Sequence, residues 1–144
     1  MLKITDSFAS LPVQDVQRAR KFYEQKLGLT PVMVMPDGGA VYKTGEDTAF
    51  SVFPSQGKAS GDHTQITLRV PDVAATVGEL KKSGVKFEEY DFPGFKTVAG
   101  IAGEGDNQGA WFKDTEGNLL ALVQFTDVQA ATVKSGHETT TNGH

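Results

Sequence analysis

A seven-residue pattern that occurs twice limits what this chain can fold into more than any other feature. Ser10-Leu11-Pro12-Val13-Gln14-Asp15-Val16 and Thr67-Leu68-Arg69-Val70-Pro71-Asp72-Val73 share Leu, Val, Asp and Val at four of the seven positions. In each copy a strand-like run leads into an aspartate suited to cap a helix. After Asp15, the residues Val16, Ala19, Tyr23 and Leu27 fall at helical spacing, Phe22 widens the stripe, and Gly28 is a stop signal. After Asp72, Val73, Val77 and Leu80 form the apolar side and Gly84 ends it, one residue out of step with the first copy. The spacing predicts helices over 15–27 and 72–83. Each is followed by a strand and then hairpins, so the unit is β-α-β-β-β, used twice. A helix covers one face of such a sheet and leaves the other bare. Two units side by side can curl their bare faces into a shared concave surface suited to a small molecule. The alternative is an α+β sandwich whose second face is filled by a partner subunit.

The predicted strands of the first unit are Ser7 to Val13, Leu29 to Met35, Ala40 to Lys43 and Thr48 to Phe53. Those of the second are Thr64 to Val70, Val85 to Tyr90, Phe95 to Ile101, Gly109 to Lys113 and Leu119 to Phe125. Turn signals such as Pro36-Asp37-Gly38-Gly39, Gly45-Glu46-Asp47 and Thr115-Glu116-Gly117-Asn118 separate them. Residues 1–126 are expected to make a single domain, with repeat one about 5–56 and repeat two about 62–126. Beyond Val133 no apolar residue is left to bury, so residues 127–144 are expected to be a polar, mobile tail. The absence of cysteine excludes disulfides, a thiol nucleophile and thiolate metal sites. A net charge of −4 argues against nucleic acid as a partner. No apolar stretch approaches a membrane span and the N-terminus carries no signal-like run, so a soluble, cytoplasmic protein is expected.

Two motifs carry a resemblance. Leu11-Pro12-Val13-Gln14-Asp15-Val16 continues through Phe22-Tyr23 to Leu27-Gly28-Leu29, and Trp111-Phe112-Lys113-Asp114-Thr115-Glu116-Gly117-Asn118 closes the body. Together they resemble the opening and closing motifs of the vicinal oxygen chelate superfamily, the fold of glyoxalase I, bleomycin-resistance proteins and extradiol dioxygenases. Thr115 and Glu116 stand where proline and aspartate are usual there. The resemblance implies an α+β fold in which two βαβββ repeats form a curved mixed sheet around a cleft. It also implies a homodimer, since single-chain members commonly pair. Metal-using members place ligands at four strand positions, which correspond here to Phe8, Ser51, Gln65 and Ala121. Phe8 and Ala121 offer no donor, and a neutral amide alone cannot hold a divalent ion. The chain is therefore read as metal-free, with no cofactor.

Strand alternation places Ser10, Ala49, Phe53, Thr67, Leu119 and Val123 on the cleft face beside those four positions, with Arg69 at a strand end. The opposite parity (Ala9, Leu11, Val13, Phe50, Val52, Ile66, Leu68, Val70, Leu120 and Leu122) is almost wholly apolar and is expected under the helices. Trp111, Tyr42 and Tyr90 are candidate stacking platforms, Trp111 foremost. The candidate ligand-binding set is thus Phe8, Ser10, Ser51, Phe53, Gln65, Thr67, Arg69, Trp111 and Ala121. His63, before the fifth strand, and Lys96 are the weak candidates for a catalytic base or a ligand cation, and both have the simpler reading of exposed side chains. The glycine-rich stretch from Gly100 to Gly109 lacks dinucleotide or phosphate-loop spacing and is expected to be a flexible connection near the cleft mouth. Acidic residues at caps and turns, including Asp114 and Glu116, are explained by local hydrogen bonding. These features point to a metal-independent protein of bleomycin-resistance type holding a partly aromatic or apolar small molecule. The competing readings are a glyoxalase-like lyase or dioxygenase-related enzyme, and an interaction domain without a ligand.

Overall fold

The computed structural model describes residues 1–125. The expectation of a mobile tail over 127–144, with His137 and His144, lies outside the described residues. The two repeats fold into two four-stranded mixed sheets that are not hydrogen-bonded to one another. The first holds β1 (Ala9–Val13), β2 (Pro31–Val34), β3 (Ala40–Lys43) and β4 (Ala49–Pro54), in the order β1-β4-β3-β2. The second holds β5 (Thr64–Arg69), β8 (Ile101–Glu104), β9 (Asn107–Lys113) and β10 (Leu119–Gln124), in the equivalent order β5-β10-β9-β8. In each, the first and last strands pair in parallel, β1 with β4 and β5 with β10. A parallel pair needs a long connection, and the helix and hairpin between them supply it. A two-stranded hairpin, β6 (Asp91–Phe92) and β7 (Phe95–Lys96), is inserted in the second repeat only. Among the described residues no helix is long and apolar enough to cross a membrane.

Both helix entries follow from the repeated aspartate. The carboxylate of Asp15 accepts from the Arg18 N–H at 3.0 Å, and that of Asp72 from the Ala75 N–H at 3.0 Å. Each satisfies one of the amides a helix N-terminus leaves free. At the exits Gly28 and Gly84 adopt φ of +74° and +93°, which side chains resist. α1 runs over Val16–Lys21 and α2 over Val73–Lys82. The first helix departs from expectation: after Lys21 it widens into a π-helical turn, Phe22–Lys26, closed by the Leu27 N–H on the Phe22 carbonyl at 3.1 Å. A periodicity of apolar residues cannot register that extra residue. Phe22 and Tyr23 are both buried there.

The alternation argument holds for the core. All ten residues assigned to the helix side lie in one cluster or pack against it, together with Tyr23, Tyr42 and Phe112. That cluster takes the helix sides of both sheets, so their opposite faces turn away from it. Three local expectations are corrected. The segment from Val85 to Tyr90 is not a continuous strand: it touches β9 through a single bridge, Phe87 to Phe112. The run from Phe95 to Ile101 divides into β7, a turn and the start of β8. The stretch from Gly100 to Gly109 is a tight hairpin, with Gly103 paired to Gln108 and Glu104 to Asn107. Glycines at positive φ make that turn possible.

The β9–β10 turn ties the repeats together. Asp114 accepts from the Tyr23 hydroxyl at 2.7 Å, the Asn118 amide side chain at 2.7 Å, and the Glu116 and Asn118 N–H groups. Burial and the Asp114 carboxylate together push the Tyr23 phenol well above its usual range. Glu116 reaches back to the start of α1. It accepts from the Gln14 and Asp15 N–H groups at 3.1 and 2.9 Å and from the Arg18 guanidinium at 2.7 Å. The Arg18 hydrogen bond is the largest cause of its pKa falling from 4.5 to about 2. These acids do more than organise their own turn, as local reasoning had it: their partners lie about a hundred residues away.

Candidate functional site

The outward face of the first sheet carries an open cavity of about 640 Å³. Its floor follows from register. Met33 pairs with Val41 across β2 and β3, Val41 with Ser51 across β3 and β4, and Ser51 with Ser10 across β4 and β1. These four residues therefore line up on one face, opposite Tyr42, Phe50 and Val52 in the core. The lower part of the floor is Phe8, Lys43 and Ala49, with Val32 and Met35 from the edge strand and its end. Phe8 is 53% exposed and Met33 55%, large values for apolar side chains on a sheet face. The rim is supplied by the N-terminal segment, with Asp6, and by the β3–β4 turn, with Glu46 and Asp47.

Of the nine candidate ligand-binding residues, Phe8 lines this cavity. Ser10, Ser51 and Phe53 share its face; Ser51 is buried and its hydroxyl donates to Ser10 at 3.2 Å. The other five stand on the corresponding face of the second sheet and are not in the lining of this cavity. There Ala121 pairs with Thr67 on one side and Trp111 on the other. Trp111 meets Tyr90 and Phe95 edge-on, with ring centres 5.8 and 5.4 Å apart. The inserted hairpin thus completes an aromatic cluster over the second sheet, in which Phe92 is 58% exposed. Arg69 is engaged at the end of β10, its guanidinium 4.1 Å from the Phe125 ring centre and donating to the Phe125 carbonyl at 3.0 Å. Gln65 occupies a bulge in the β5–β10 ladder, and its side-chain oxygen is enclosed without a hydrogen bond among the described residues.

Tyr42, a candidate platform, is instead fully buried, with its hydroxyl donating to Glu24 at 2.9 Å. His63 and Lys96 are exposed, line none of the cavity, and their side chains have no hydrogen-bond or ion-pair partner among the described residues. The floor contributed by β2 and β3 was missed at the sequence level. Its one signal, alternation through Met33 and Met35 and through Val41 and Lys43, requires a strand register that composition does not reveal.

The family positions for a divalent metal do not fit one here. Phe8 and Ala121 have no lone pair to offer, the Ser51 hydroxyl is committed to Ser10, and Gln65 brings a neutral amide. Among the described residues no three His, Cys, Asp or Glu side chains converge on a point.

Paired βαβββ units, each with a helix side in the common core and a bare opposite face, define the α+β class of this domain. The chain belongs to the Glyoxalase/Bleomycin resistance protein/Dioxygenase superfamily, whose profile matches residues 5–122. No curated protein sequence matches it significantly. Several solved structures share the fold. TnmS3, an antibiotic binding protein from Streptomyces sp. CB03234, is 23% identical over 88% of this chain and 99% of its own, with a TM-score of 0.63. UcmS2 is 20% identical over 85% of this chain and 98% of its own, with a TM-score of 0.65. The fosfomycin resistance protein FosX from Listeria monocytogenes is 14% identical over 88% and 96%, with a TM-score of 0.63.

Proposed function

We propose that this chain is a cytoplasmic, metal-independent small-molecule binding protein of bleomycin-resistance type that works as a homodimer. The observation that carries the reading is the cavity of about 640 Å³ floored by exposed Phe8, Val32, Met33 and Met35. A sheet face left apolar and open, while its other side is tightly packed, is what a site for a partly apolar ligand requires. The likeness in fold to an antibiotic binding protein supports the same reading. The arrangement of the faces supports the dimer: the two candidate sets lie on the sheet sides away from the common core. A second copy, related by a twofold axis, would bring the second-sheet face of one chain over the first-sheet face of the other. The lack of metal donors at the family positions, and the exposed, unsupported His63 and Lys96, favour binding over catalysis.

Light scattering of the full chain should give the mass of a dimer. Titration with Nile red, a neutral apolar dye, should show saturable binding with enhanced fluorescence that Phe8→Ala weakens. Monomer mass at high concentration would refute the dimer, and absence of saturable binding by Nile red and by charged aromatic dyes alike would refute the binding function.

A further inference from the structure

We infer that the first-sheet cavity selects organic cations: its ligand carries a protonated amine or similar positive centre on an apolar, ring-bearing body. The inference rests on the binding function proposed above and adds the ligand's charge. Three carboxylates, Asp6, Glu46 and Asp47, stand in the lining against one cation, Lys43. Glu46 and Asp47 have no ion-pair or hydrogen-bond partner among the described residues, and Asp6 is engaged only by the neighbouring Ser7 N–H at 2.8 Å. Carboxylates elsewhere that serve the fold are spent differently: Asp15 and Asp72 cap helices, Asp114 and Glu116 hold the two repeats together, and Glu24 is paired with Arg20. The rim acids serve no such purpose, and their field falls on the cavity.

The floor is suited to the same ligand. Phe8 is half-exposed in the lining, and an aromatic ring attracts a cation that settles over its face within about 6 Å of its centre. Met33 and Met35 supply flexible, polarisable surface that can follow the outline of a bulky apolar body. An anionic ligand would meet the net negative charge that three carboxylates and one lysine leave in the lining, and a neutral one would gain nothing from it. Opposite charge at a partly exposed rim is worth up to about 1 kcal/mol per carboxylate. That converts to about threefold to fivefold in affinity for each.

The test compares three flat aromatic dyes on the full-length dimeric protein: acridine orange (cationic), Nile red (neutral) and fluorescein (anionic). Acridine orange is expected to bind at least tenfold more tightly than fluorescein, with an affinity that falls as salt is raised. The double variant Glu46→Gln with Asp47→Asn should weaken acridine orange about tenfold and leave Nile red unchanged. Both substitutions are isosteric and lie in an exposed turn, and retention of Nile red binding shows that the site is intact. If Nile red binds but acridine orange is no tighter than fluorescein, or is indifferent to the double variant, the charge selection is wrong and the binding function stands. If none of the three dyes binds, both fail.

Discussion

The turn joining the third and fourth strands is acidic in both repeats, and the two turns are built to opposite ends. In the second repeat, Asp114 and Glu116 are 7% and 3% exposed and between them accept hydrogen bonds from α1, the π-helical turn and their own loop. In the first repeat, Glu46 and Asp47 are exposed, take no partner among the described residues, and stand at the edge of the cavity. The topological position is the same, so the fold does not determine what a carboxylate there does. Its neighbours do. Where the turn abuts the other repeat, charge becomes a fastener. Where it projects past a bare sheet face, the charge is left available to a ligand.

The largest effect expected from breaking this contrast is at Asp114. Replacing it with alanine strands four donors: the Tyr23 hydroxyl, the Asn118 amide, and the N–H groups of Glu116 and Asn118. Each buried donor left unpaired costs about 1–3 kcal/mol, moderated by water entering the space. Urea denaturation of Asp114→Ala should show a loss of about 4 kcal/mol, enough to remove much of the stability of a domain this size. A loss below about 1 kcal/mol would mean the two repeats hold together without this turn.

Glu116 comes next, and its effect depends on pH. Its folded-state pKa is depressed, from 4.5 to about 2, foremost by the Arg18 guanidinium and then by the Asp15 N–H. A depressed carboxylate contributes stability that is complete above its unfolded pKa and disappears as pH falls through the folded one. Glu116→Gln should therefore cost about 2 kcal/mol at neutral pH, reflecting loss of charge-assisted hydrogen bonds. The difference from the unsubstituted protein should narrow once the pH drops below 4.5 and vanish near 2. A difference that stays constant over that range would show that shape, not charge, matters at this position.

How these residues are placed explains what the sequence could and could not reveal. The Asp15 and Asp72 caps were legible because donor and acceptor lie three residues apart in a repeated pattern. The core was legible because alternation along β1, β4, β5 and β10 sorts apolar from polar residues without reference to any partner strand. The family motifs gave the two-repeat architecture for the same reason. By contrast, the structural work of Asp114 and Glu116 depends on Tyr23, Gln14 and Arg18, far away in sequence, and a turn reading sees only neighbours. The cavity floor was hidden because Met33 meets Val41 through a ladder with a register shift between Pro31 and Met33.

A smaller effect separates the hydroxyl of Tyr23 from its ring. The ring lies in the aromatic cluster with Phe22, Tyr42 and Phe50, at centre distances of 5.4 to 5.7 Å. Tyr23→Phe keeps this packing and removes one donor from a carboxylate that retains three. A cost of about 1.5 kcal/mol by urea denaturation is expected, well short of that for Asp114→Ala.

The smallest expected effect completes the contrast. Glu46→Gln with Asp47→Asn removes two charges that no described residue engages, so nothing in the folded protein loses a partner. Surface substitutions of this kind stay within about 0.5 kcal/mol of the parent. The two acids also sit beside one another in a lining that holds three carboxylates and one lysine, so their removal should be neutral or slightly stabilising. Urea midpoints measured side by side with Glu116→Gln would make the point within one protein: two turns at equivalent positions, each losing carboxylate charge, with stability falling in one and holding in the other. A comparable loss in both would mean that the first-repeat turn is also a structural fastener, and that its acids are not held free for a ligand.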